Sequence, residues 1–193
     1  MESKLKKIRE AVHNDFLVKT DDKWKKIELS EEDDNAKCKS VLFKQEKGIK
    51  TVVIKLDKQG KDIHPLFSTK KGLNNLKIKN DYLIFALKNK RLYALLIELK
   101  SGNTGKWIKQ CKAGEVIAKY ILGLVNNWAD DIVIDINNFN FRYILFYTNS
   151  LEFKNRRKKN TKISSIEYID NNADFVYVRK KCNEKYNLGM FCK

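Results

Sequence analysis

The stretch from Asp81 to Lys100 constrains this chain most, because it places charged groups at the ends of two long apolar runs. Taking a charge out of water is costly unless a partner offsets it, so such an arrangement restricts the folds that can hold it. Tyr82 to Leu87 and Arg91 to Leu99 are rich in β-forming residues and are separated by a short polar turn. Asn89 in that turn tolerates positive φ, and the stretch therefore reads as a β-hairpin opened by Asp81. Period-2 alternation puts Glu98 and Lys100 on one face with Ala94 and Leu96, and Tyr93, Leu95, Ile97 and Leu99 on the other. A strand apolar on both faces belongs inside a covered sheet. Glu98 and Lys100 are then a polar site at the border of a core.

The chain continues with a turn cluster from Ser101 through Gly102 and Asn103 to Gly105. A helical pattern follows from about Lys106 to Trp128. Ile108, Cys111, Ala118, Leu122 and Val125 form an apolar stripe, widened by Ala113, Ile117, Ile121 and Leu124, as expected of a helix packed on a sheet. Lys106, Gln110 and Gly114 recur at four-residue spacing and share a face near the helix start. Phe141 to Thr148 is an aromatic and β-branched run that reads as a further buried strand.

In order and spacing, residues 76 to 150 resemble the PD-(D/E)xK nuclease superfamily, whose signature is an Asp on one strand followed by Glu-x-Lys on its neighbour. Here these are Asp81 and Glu98-Leu99-Lys100. Asn80 stands where the nominal Pro would be. The resemblance implies an α/β fold with a restriction-endonuclease-like core, a mixed central sheet flanked by helices. It also implies hydrolysis of phosphodiester bonds with Mg²⁺ or Mn²⁺, a hard cation that prefers oxygen ligands. Asp81, Glu98 and the backbone carbonyl of Leu99 are the implied metal ligands. Lys100 is expected to orient the attacking water or stabilise the transition state. Gln110 is expected to position water or phosphate, with Lys106 as second choice. Members often add a Glu from a preceding helix; Glu10 and the acidic run Glu31 to Asp34 are both open for that role, the run being read as a solvated loop ahead of a ligand.

Charge points the same way, since 40 Lys and Arg against 24 Asp and Glu leave the chain at +16. A chain this basic attracts polyanions, and nucleic acid is the default partner, with DNA favoured over RNA. Lys154, Arg156, Arg157, Lys158 and Lys159 form the densest basic patch; with Lys106 they are candidate nucleic-acid contacts, although such a run is equally the mark of a solvated loop. The expected protein is a DNA endonuclease of restriction or of phage and mobile-element defence, and a homodimer is compatible with it. One rival keeps the fold as a catalytically inactive nucleic-acid-binding or protein-interaction module. Another is a basic adaptor that recruits a separate enzyme.

The 193 residues, 42% of them hydrophobic, suit one domain with a real core at about residues 76–150 and a basic extension at 151–193. No apolar stretch is long enough for a bilayer and the first residues lack the apolar segment of a secretory signal, so a cytoplasmic location is expected. In that setting Cys38, Cys111, Cys182 and Cys192 form neither a metal site nor a disulfide framework; Cys111 is a small core residue, and Cys182 and Cys192 could close a loop only in an oxidising setting.

Leu5, Ile8, Val12 and Phe16 suggest an amphipathic helix. Val41 to Lys44 and Thr51 to Leu56 read as strands that pair as a hairpin beside the core or line the cleft. Lys162 to Ile169 and Asp174 to Arg179 read as later strands. His64, before the only proline, is read as a loop residue ahead of an acid–base role. Asp130, Asp131 and Asp135 are also assigned to a loop. Tyr177, Tyr186 and Phe191 are read as packing residues ahead of base-stacking ones.

Overall fold

The computed structural model describes residues 2–20, 25–61, 77–102, 106–148, 169–170 and 176–193. The basic patch Lys154 to Lys159, His64 with its proline, and most of the expected strand from Lys162 lie outside the described residues.

The hairpin forms as its sequence requires. One strand, β4, spans Tyr82–Lys88 and the next, β5, spans Arg91–Lys100, paired antiparallel with Tyr82 opposite Ile97 and Lys88 opposite Arg91. Asn89 and Lys90 between them take φ of 49° and 62°, the pair of positive values that a two-residue turn matched to strand twist needs. Before it come a helix α1 (Glu2–Ala11) and three strands, β1 (Lys26–Ser30), β2 (Ser40–Lys44) and β3 (Lys50–Lys55). After it come the helix α2 (Trp107–Trp128) and four strands, β6 (Asn140–Tyr147), β7 (Ile169–Asp170), β8 (Val176–Lys181) and β9 (Lys185–Asn187).

These strands make two sheets. The larger has the order β3-β4-β5-β6-β8-β7 and the smaller β1-β2-β9. The larger sheet is mixed: β5, β6 and β8 run parallel, while β3, β4 and β7 pair antiparallel with their neighbours. The parallel pairing of β5 with β6 needs a crossover, and α2 supplies it. Asn126 near the end of α2 fixes the return by bonding both the N–H and the carbonyl of Ile134 at 2.8 Å.

Each face of the large sheet has its own cover, which is why β4 and β5 are apolar throughout. Leu83, Phe85, Ala94, Leu96 and Leu145 pack against Leu5 and Ile8 of α1 and Cys111, Ala118, Leu122 and Val125 of α2. On the opposite face Ile84, Leu95, Ile97 and Phe146 pack against Ile27, Leu29, Val41 and Phe43 of the small sheet. Thus the expected α/β class with a mixed central sheet holds, but among the described residues helices cover only one face. The small sheet takes the other. Phe191 is fully buried between Phe43 and Phe146, with ring centroids 5.5 and 6.1 Å away, and Tyr186 stacks near Phe146 at 5.4 Å. These aromatics pack, as does Tyr177 against Trp107 at 5.0 Å.

Four expectations need correction. The helix expected over Leu5, Ile8, Val12 and Phe16 ends at Ala11, and Phe16 falls in a separate 3-10 turn, Asn14–Phe16. The strands at Val41 and Thr51 do not pair with each other: β2 joins β1 and β9, and β3 joins β4. Gly48, at φ 86°, turns the chain between sheets and sends Ile49 into the core they share. On α2, Ile108 and Leu124 are exposed, while Trp107 and Gly114 are buried, so the buried stripe is rotated from the expected one. Cys38 and Cys182 form a disulfide with Cα atoms 5.2 Å apart across 144 residues of sequence. Spacing rules detect only cysteines close in sequence, and here the fold brings two distant ones together.

Candidate active site

Both carboxylates of the signature lie at the open end of the hairpin. Continuing the β4–β5 register one step beyond Tyr82 and Ile97 sets Asp81 opposite Glu98. Asp81 is 7% exposed and Glu98 is fully buried, and with Asn80 they are the buried polar or charged residues of the described chain. Asp81 Oδ2 accepts a hydrogen bond from the Leu99 N–H at 2.6 Å, which fixes its carboxylate toward the strand carrying Glu98. The Lys100 ammonium pairs with Glu98 Oε1, and its side chain is 23% exposed. The backbone N–H of Asp81 also favours the Glu98 carboxylate.

The electrostatics follow from burial. Loss of solvent and then the nearby Asp81 charge push the Glu98 carboxyl above the ordinary carboxylate range, against the pull of Lys100. Asp81 is pushed up as well, chiefly by burial; Leu99 N–H and Lys100 counter this, whereas the charges of Glu31 and Asp57 add to it. Burial disfavours the Lys100 cation, but Glu98 and Asp81 outweigh that effect and raise its pKa. The result is a buried carboxyl pair that resists ionising at both members, with a single cation against one of them. Such a pair titrates jointly and gains from any further positive charge.

Asn80 holds this end of the hairpin shut. Its Nδ2 donates to the carbonyls of Tyr82 and Ile97, the latter at 3.2 Å, so one side chain ties the residue before Asp81 to the residue before Glu98. A Cβ on Gly114 of α2 would lie 1.7 Å from Asn80 Oδ1 and 3.3 Å from Leu96, so the glycine makes room for the clamp. Gln110, one turn earlier, is half-buried and donates to the Lys79 carbonyl at 3.5 Å. Gln110 and Gly114 therefore face the segment entering the site, as their shared helical face suggests, while Lys106 is exposed at the start of α2.

The segment between β1 and β2 comes to the same end from the small sheet. Tyr82 Oη bonds both the carbonyl and the N–H of Ser30, just before Glu31. Glu32 pairs with Lys55 at 2.8 Å. The Cys38 N–H donates to Ser101 Oγ at 3.0 Å, next to Lys100. Asn183 completes the tie by bonding Lys37, Lys39 and Ser40. Of the two acidic candidates left open, Glu31 acts electrostatically on Asp81 and Lys100. Glu10 pairs instead with Lys6 and Lys7 on α1.

The remaining candidates stand apart. Asp135 caps its own turn through Asn137 and Asn138. Burial holds the Cys111 thiol far above its ordinary range, consistent with a core residue. A cleft of about 440 Å³ lies by the small sheet, lined by Lys26, Lys44, Lys180, Lys185 and Tyr186 among others, and contains none of the signature residues.

Two buried carboxylates and a strand carbonyl are hard oxygen donors, suited to a cation such as Mg²⁺ that keeps several waters and is bound by one or two carboxylates. Among the described residues, no group of three or more His, Cys, Asp or Glu is arranged to hold a metal. Within them, no helix is long and apolar enough to cross a membrane. Comparison of the chain with protein-family models, curated proteins and solved structures returns no match.

Proposed function

We propose that this protein is a divalent-metal-dependent nuclease with a restriction-endonuclease-like core, hydrolysing phosphodiester bonds in DNA. The observation that carries the reading is the buried, facing pair Asp81 and Glu98 with Lys100 against it, at the end of a strand followed by a crossover helix and a parallel strand. A fold has little use for two buried carboxylates side by side unless a cation is to offset them.

Asp81, Glu98 and the Leu99 carbonyl would hold Mg²⁺ or Mn²⁺. The ion would supply a water of lowered pKa and positive charge against the phosphate. Lys100 holds the Glu98 carboxylate in place and offers a partly solvent-shielded ammonium to a developing oxyanion. Gln110 and Asn80 position the strand that carries Asp81. The +16 charge would draw in a polyanion, and duplex cleavage with one site per chain would use two copies.

The test incubates the parent, Glu98→Ala and Lys100→Ala with linear, supercoiled and single-stranded DNA, with and without Mg²⁺ or Mn²⁺. Metal-dependent cleavage by the parent, lost by at least about 10²-fold in both folded variants, is the expected result. Equal cleavage by all three would overturn the mechanism. The alternative is an inactive nucleic-acid-binding module on the same fold, in which the +16 charge serves binding alone. It predicts DNA binding with neither cleavage nor Mg²⁺ uptake.

A further inference from the structure

The parallel strands place a second charged row beside the first. Glu98 on β5 is in register with Leu145 on β6, and Leu145 with Arg179 on β8; likewise Lys100 with Tyr147, and Tyr147 with Lys181. Residues in register across a ladder point to the same face, so Arg179 and Lys181 lie on the α2 side of the sheet with Glu98 and Lys100. Two strand spacings separate the rows, roughly 10 Å. Both rows lie at the carboxyl ends of parallel strands, the edge at which open α/β sheets bind ligands.

Arg179 is held there by stacking. Its guanidinium carbon lies 5.4 Å from the Tyr177 ring centroid and 6.0 Å from that of Trp107, and the two rings meet edge to face. A guanidinium confined beside two aromatic rings loses less freedom on binding than a free one, and its planar fork matches two phosphate oxygens. Lys181 is more exposed and lies 4.0 Å from the Glu184 carboxylate. Neither residue belongs to the nuclease signature.

We infer that Arg179, with Lys181 beside it, binds a backbone phosphate neighbouring the one at the Asp81–Glu98 pair, and so sets the direction in which a nucleic-acid strand crosses the sheet edge. This rests on the nuclease reading above. Arg179 is thus a positioning residue that acts on bound nucleic acid without touching the reacting phosphate.

The test measures binding of fluorescent single-stranded and duplex DNA oligonucleotides over a range of salt, with EDTA present so that nothing is cleaved. Each phosphate contact contributes about 0.9 to the slope of log K against log salt for duplex and about 0.7 for single strands. Arg179→Met and Lys181→Met should each weaken binding several-fold and lower the slope by about one contact. Arg179→Lys should keep the slope and lose part of the affinity. Disturbed packing alone would change melting temperature and leave the slope intact, and Lys181 is exposed enough for its variant to fold. Parental binding with unchanged slopes in both Met variants would overturn this inference alone. A parent that neither binds nor cleaves any of these DNAs would overturn it together with the nuclease reading.

Discussion

The two ends of the β4–β5 hairpin are built on different principles. At the turn end, Asn89 and Lys90 satisfy the geometry themselves through adjacent positive φ values. At the open end, Asp81 and Glu98 are kept in place by residues far away in sequence: Asn80 against Gly114, Gln110 on Lys79, and Cys38 on Ser101 with its disulfide to Cys182. One end is held locally and cheaply. The other is held by the whole fold, against the cost of a buried carboxyl pair. Sites of chemistry are where such costs accumulate, because a reactive arrangement is rarely the most stable one.

Breaking the distant ties should therefore have the largest effects. Reducing the Cys38–Cys182 bond, or replacing both cysteines with Ser, should cost about 2–5 kcal/mol in a denaturant titration, because a long closed loop restricts the unfolded chain. Equal midpoints with and without reductant would show that the bond contributes nothing. Next comes Gly114→Ala. Alanine favours helix by about 1 kcal/mol, but its Cβ meets Asn80 at 1.7 Å, and a net loss of about 1–3 kcal/mol is expected. A stabilised Gly114→Ala variant would refute the clamp.

A smaller effect has the opposite sign. The folded-state pKa of Glu98 is raised, so the folded protein holds a proton that the unfolded chain has released above the ordinary carboxylate range. Stability from this group is thus present at low pH and declines as pH rises through the folded value. Without metal, Glu98→Gln should melt above the parent, and the gap should widen between about pH 5 and pH 8. Adding Mg²⁺ should raise the parent's melting temperature and leave the variant's unchanged. A gap that narrows with pH would contradict the assigned burial cost. The smallest change belongs to the turn end, where Lys90→Gly should stabilise by about 1 kcal/mol by relieving the left-handed backbone of a side-chain-bearing residue.

The same contrast explains how much the sequence revealed. The hairpin, the α2 crossover and β6 are legible because alternation, turn chemistry and helical spacing are local signals. Their order also placed Asp81, Glu98 and Lys100 together. The small sheet was not legible as such: β2 pairs with β9 through Leu42 and Lys185, a contact that no local pattern encodes. For the same reason Cys38 and Cys182 looked unrelated. Asn80 looked like a mere departure from a motif, and its role appears only once α2 lies over it. The charged row on β8 becomes visible only when the register of three strands is known.

The late pairing of β2 also bears on how the chain reaches its folded state. Phe43 acquires its aromatic neighbours Phe146 and Phe191 only after most of the chain is available, because they lie about a hundred or more residues downstream. Contacts of such long sequence separation form slowly. During synthesis the β1–β2 segment would therefore emerge with an uncovered apolar side and an unpaired strand edge, and would depend on chaperones or on rapid completion of the chain to avoid association with its neighbours.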